Sequence, residues 1–314
     1  MLKYLIERVI LFTIAMFVIM TVLYILTKVS MYRIWSLPHP ISEDFVSAYF
    51  DYKSYLTQIV TNWDWGLIPP GIPIWDVILL KFWVSLKYNL IAFVIYFVGG
   101  VAFGVIGAYY KNRLLDYIIS FFSMLFNSIP GFVFILILIL FFGYHLKWFP
   151  PQEPFSNATS LSKFKGYFIP IIALSLGPMG HISQLVRGEM LDSMQSPKYL
   201  LLRAKGLTKK QAFLNHGIKD SMVVLVPEII PLFVYVLNMS FVIEYTYNIN
   251  GIAKLFFKSV ISFGEENSAI AVNTEIVVPI ALLFMGLIMI FSLFSDIAVA
   301  LIDPRIRIRG RKTG

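Results

Sequence analysis

Long apolar runs nearly free of charge alternate along this chain with shorter polar stretches that carry proline, glycine and most of the ionisable residues. A helix rises about 1.5 Å per residue, so crossing a hydrocarbon core of roughly 30 Å takes about 20 apolar residues. Runs of that order occur at residues 9–26, 88–110, 117–144, 167–186, 221–243 and 276–301. They predict an all-α polytopic membrane protein with six transmembrane helices. The first run follows Lys3 and Arg8, but it is longer than the apolar region of a signal peptide and lacks a small-residue cleavage site. It therefore reads as a retained helix.

Composition agrees with a bilayer as solvent: 58% of the 314 residues are hydrophobic and only 14% charged, with a mean hydropathy of +0.76. With the N-terminus inside, 16 of the 26 basic residues and 8 of the 18 acidic ones fall on the cytoplasmic side, which then carries the whole formal charge of +8. Cytoplasmic loops are rich in Lys and Arg, so both termini are expected in the cytoplasm. The basic residues flank spans instead of covering one globular face, which argues against nucleic acid as a partner and leaves membrane lipid. The chain has no cysteine, excluding disulfides, thiolate metal sites and thiol catalysis. It has no Gly-Lys dipeptide and hence no loop of the kind that cradles ATP phosphates. His39, His145, His181 and His216 are scattered without metal-ligand spacing, so no metal or other cofactor is expected. His181, beside Gly177-Pro178-Met179-Gly180, is read either as facing a cavity or, preferably, as a satisfied helix-end histidine.

The domain organisation predicted is an N-terminal transmembrane helix (1–29), a small extracellular subdomain (30–81), a five-helix transmembrane domain (82–302) and a basic cytoplasmic tail (303–314). The subdomain carries Asn62-Trp63-Asp64-Trp65-Gly66, an aromatic segment suited to the headgroup level. Gly100 and Gly104, with Gly107 a turn later, have the small-residue spacing that lets helix backbones approach closely. Ser128-Ile129-Pro130-Gly131 breaks the third run, and Pro130 and Gly131 are read equally as a structural kink or as lining of a substrate path. Glu228, between Pro227 and Pro231, is read either as an intramembrane group or as an interfacial partner of Lys219 or Arg187. The sequon Asn157-Ala158-Thr159 is too short a match to carry weight.

The stretch 187–226 carries seven basic residues and is far longer than a connection between packed helices requires. Ser196-Pro197 is an N-cap with proline at the first helical position, Tyr199 to Ala204 read as helix, and Gly206 supplies a left-handed stop. Thr208-Lys209-Lys210-Gln211 then forms a capping box that opens a second helix. A short helix projecting from a membrane domain has its outer side chains free to dock on another protein.

Tyr199 to Leu207, followed by His216-Gly217-Ile218-Lys219-Asp220-Ser221, resembles the EAA loop of ABC importer permeases in its oligopeptide/dipeptide form, B-type subunit. Similar segments recur at Ser128 to Phe132, Arg187 to Asp192, Glu244 to Gly251 and Asp303-Pro304-Arg305-Ile306-Arg307. The chain departs from the family in having Leu200, Leu201 and Leu202 at the head of the loop motif, and Lys28 to Leu37 where a Pro-Gly-Asp-Pro-like segment is usual. The resemblance implies a type I ABC importer permease fold, a second homologous permease, two cytosolic ATPases that hold ATP and Mg, and an extracellular peptide-binding lipoprotein at the bacterial plasma membrane. It implies that Tyr199, Leu200, Arg203, Ala204, Lys205, Gly206 and Leu207 form the coupling helix, and that Glu244 meets the path or an outer gate. This chain would itself be no catalyst.

Within that reading the cargo is a peptide, with nickel chelates or other small solutes as the alternative. An ion-coupled secondary transporter is disfavoured by the scarcity of buried charge and of internal repeats.

Overall fold

The computed structural model describes residues 2–35, 40–68, 71–154, 159–260, 262–264 and 268–302. The expected tail, 303–314, and Asn157-Ala158 of the sequon lie outside these residues. The elements in order are α1 (Leu2–Trp35), α2 (Ile41–Asn62), a minimal hairpin of β1 (Leu67–Ile68) and β2 (Ile72–Pro73), α3 (Ile74–Tyr109), α4 (Leu114–Ser128) and α5 (Gly131–Leu138), which runs into a π-helical turn (Ile139–His145). Then come α6 (Ser160–Gln195), α7 (Pro197–Ala204), α8 (Lys209–Ala212), a second π-helical turn (Phe213–Gly217), α9 (Ile218–Tyr247), α10 (Ile252–Val260), the antiparallel pair β3 (Ser262–Gly264) and β4 (Ser268–Ala271), and α11 (Thr274–Ile302).

Five of the described helices are long and apolar enough to cross a membrane: Ile6–Arg33 of α1, α3, α6, α9 and Thr274–Ile297 of α11. The pair α4 and α5, continued to His145, makes a sixth if taken as one span, bent by 104°. The bend has a local cause. Proline forces the residue before it out of the helical region, and Ile129 is extended (φ −97°, ψ 122°). The ladder of α4 therefore stops, and Gly131 opens α5 in a new direction.

The chain divides into two compact units, Met1–Ser85 with Asn250–Leu293 and Leu86–Ile249 with Phe294–Gly314. In the first, α2 packs on α1 through tyrosines: Tyr24 stacks on Tyr55 with ring centroids 4.9 Å apart, and Thr21 and Tyr52 share a 2.6 Å hydrogen bond. Met20, Ile59, Val278 and Leu282 complete that core, while Tyr32 donates to Asp51 and Arg33 lies 3.4 Å from Asp44. Trp63 is exposed, as a headgroup anchor would be, whereas Trp65 is packed edge-on against Tyr55 and Trp75.

In the second unit small residues bring α6 close to α3 and to α4. A Cβ on Gly100 would lie 2.7 Å from the Cβ of Ile182, and one on Gly104 2.7 Å from that of Val186. The expected close approach of α3 is thus made to α6. On the opposite side of α6, Gly180 leaves room for the backbone of α4, and Ser123 donates to Ser183 across the contact at 2.9 Å.

Candidate functional site: the exposed loop and the cavity

α7 is a short helix with none of its residues buried. Its formation is local. Ser196 accepts the Tyr199 N–H at 3.2 Å, Pro197 fills the first helical position, and Ser196 itself donates to the Ser193 carbonyl at 2.6 Å. An N-cap of this kind contributes about 1 kcal/mol. At the other end Gly206 takes φ +91°, a conformation that costs an L-residue with a side chain about 1–2 kcal/mol. The Gly206 N–H bonds the Arg203 carbonyl (3.1 Å) and the Leu207 N–H bonds the Leu202 carbonyl (3.3 Å), the paired closure of a Schellman motif. Arg203 adds a 2.7 Å bond to the Leu207 carbonyl. The expected capping box is complete: Gln211 N–H donates to Thr208 Oγ1 (3.2 Å) and Gln211 Oε1 accepts from Thr208 N–H (3.0 Å).

The outer surface of this loop is an apolar patch inside a basic rim. Leu200 and Leu201 are 65% and 57% exposed. Arg203, Ala204, Lys205 and Gly206 are exposed beside them, and Tyr199 and Leu207 are half-buried at the edges.

Two carboxylates tie the loop and its supporting helices together. Asp220, in the first turn of α9, accepts from Ser193 at the end of α6 and from Lys198 in α7, both at 2.7 Å. Asp116, buried at the start of α4, accepts a two-pronged grip from Arg187 of α6 (2.6 and 2.9 Å) and the Asn112 N–H (2.9 Å). Arg187 is therefore held by Asp116 and not by Glu228, contrary to one sequence expectation. Glu228 is half-buried and makes no ion pair or hydrogen bond among the described residues.

A second feature is a cavity of about 340 Å³ walled by the α4–α5 break, α6 and α9. Pro130 and Gly131 line it, so the break both bends the helix and opens a space. His181 lines it as well, from the middle of α6, which favours its cavity-facing reading over the preferred helix-end one. Asn127, Ser128 and Tyr235 are the other polar residues there, and no carboxylate, lysine or arginine is among the described lining. Glu244 lies elsewhere: it is buried near the end of α9 and accepts a short hydrogen bond from Tyr88.

The family model described as the binding-protein-dependent transport system inner membrane component matches residues 100–308, which include all of the cavity wall and the exposed loop. The chain belongs to this family. The permease is 28% identical to the dipeptide transport system permease protein DppB of Lactococcus lactis, over 98% of this chain and 100% of that one. It is 30% identical to the oligopeptide transport system permease protein OppB of Haemophilus influenzae, over 74% of this chain and 71% of that one. DppB of Bacillus subtilis is also 30% identical, over 82% and 79%. In fold it is similar to a chain of the MetNI methionine ABC transporter (TM-score 0.55, 16% identity, 76% of this chain and 100% of that one). It is thus a multi-pass transport component.

Sequence reading missed Asp220 and the Asp116–Arg187 pair as organisers of the permease loop. Their partners stand 22 to 71 residues away, beyond the reach of local pattern. The local signal was confined to Asp116, in the first turn of α4, where the macrodipole favours an acid.

Proposed function

We propose that this chain is one of two permease subunits of an ATP-driven importer of short peptides, and that α7 is the helix through which partner ATPases drive it. The observation that carries the reading is the exposure of α7: a helix with no buried residue, stiffened at both ends by caps, offers Leu200 and Leu201 within a basic rim. Burying apolar side chains in water-exposed helices is favourable only against a partner. The names of the relatives favour dipeptides and oligopeptides as cargo over nickel chelates or other solutes.

On this reading ATP and Mg reside on two cytosolic ATPase subunits, and an extracellular lipoprotein delivers the peptide. Both termini and the loop face the cytoplasm of a bacterial cell. The cavity at Pro130 and Gly131 is this subunit's share of the path, with polar but unionised contacts suited to peptide backbone. Closure of the ATPases would shift α7, and through it α6 and α9, between inward and outward states. Glu244, through its bond from Tyr88, is proposed to steady the far end of α9.

The chain has no cysteine, so a single thiol introduced at Ala204 is unique within it. With Ala204→Cys, a short bismaleimide is expected to link the permease to an ATPase subunit bearing a thiol at its permease-facing groove. A thiol at Gly188, away from α7, gives no such product. Absence of any linked product from Ala204→Cys in an intact assembly would refute α7 as the docking element.

A further inference from the structure

We propose that Asp220 is a positioning residue, a latch that fixes the direction of α7 against both α6 and α9. This rests on the reading of α7 as the docking helix. The caps described above explain why α7 is helical, but a cap constrains only its own helix. What sets the direction of α7 relative to the membrane helices is the bonding of Asp220, whose Oδ2 accepts from Ser193 at the end of α6 and whose Oδ1 accepts from Lys198 in the first turn of α7. One carboxylate on α9 thereby holds the helix on either side of the Ser196 corner.

Lys198 stands at the wrong end of its helix for the macrodipole, which disfavours a cation near an N-terminus. Pairing with Asp220 accounts for its presence there. The pair is open to solvent, the side chains being 56% and 32% exposed, and exposed pairs of this kind contribute little to stability. It is thus too weak to hold the fold and weak enough to break and re-form as α7 moves. The contrast with Asp116 is informative. That carboxylate is buried and gripped twice by Arg187, so it joins α4 and α6 as one stiff body. The compliant joint lies at Asp220, between that body and α7.

The test uses the complete assembly in proteoliposomes and reads dialanine molecules imported per ATP hydrolysed. Asp220→Asn keeps the volume and the Ser193 contact but removes the charge, and Lys198→Met removes the other partner. Each is expected to lower the ratio about 2- to 5-fold, as far as the loss of one exposed ion pair allows, while all subunits still copurify. The exchanged pair, Lys198→Asp with Asp220→Lys, is expected to recover at least half of the lost ratio, because the Ser193 hydroxyl accepts from an ammonium as well as it donates to a carboxylate. An unchanged ratio in the single variants, or no recovery in the exchanged pair, would overturn the latch. So would failure of Asp220→Asn to assemble, since the residue would then be structural. Arg203→Glu with Lys205→Glu is measured alongside. If that change also leaves the ratio intact, the reading of α7 as docking helix has failed; if it alone abolishes coupling, only the latch has.

Discussion

Replacing Gly180 by alanine is expected to destabilise the permease by about 3 kcal/mol or more, the upper part of the range for overpacking a close contact. The new Cβ would overlap the backbone carbonyl oxygen of Ser123 and stand 3.1 Å from the Asn127 backbone nitrogen. Backbone cannot swing aside as a side chain can, so α4 and α6 would have to separate, opening the contact beside the Ser123–Ser183 bond. Gly188, two turns further along the same helix, has nothing within 4 Å of its position. Gly188→Ala is therefore expected to stabilise by about 0.5–1 kcal/mol through helix propensity alone. Thermal unfolding of the purified protein in detergent should move in opposite directions for the two variants. Equal shifts would contradict the described packing of α4 on α6.

The second large effect is expected from reversing the basic rim. Arg203→Glu with Lys205→Glu replaces two cations beside Leu200 and Leu201 with two anions and removes the Arg203 bond to the Leu207 carbonyl. Both positions are exposed, and the N-cap and the Gly206 closure remain, so the subunit should still insert and purify. Interface residues of this kind commonly carry enough binding free energy that their loss weakens a contact by about 10- to 100-fold. Peptide-stimulated ATP hydrolysis in the assembled complex is expected to fall by that factor. Unchanged stimulation would remove the rim from the docking surface.

What could be read in the sequence was what depends on neighbours in the chain. The break at Pro130, the cap at Ser196, the stop at Gly206 and the Thr208–Gln211 box each follow from the backbone preferences of a few consecutive residues, and each appears where expected. The spans were legible because an apolar run must find lipid or a core. The start of α3 at Ile74 was not, because Asp76 and Lys81 interrupt the apolar run without interrupting the helix. α2 was likewise hidden: its buried tyrosines, Tyr52 and Tyr55, follow a helical spacing but belong to residues equally at home in a polar loop. The choice between the two readings of His181, and the Asp116 and Asp220 hubs, depend on which helices meet. That is fixed by glycines such as Gly104 and Gly180, whose spacing announces a close approach but not its partner.

A chain that forms half of an ATP-driven path for peptides is tested by uptake of radiolabelled dialanine and tetra-alanine into vesicles bearing the complete assembly, with ATP and the binding protein supplied or withheld separately. Uptake that needs both, and that stops when this subunit is omitted, is the predicted result; uptake that continues without ATP or without this subunit would contradict it.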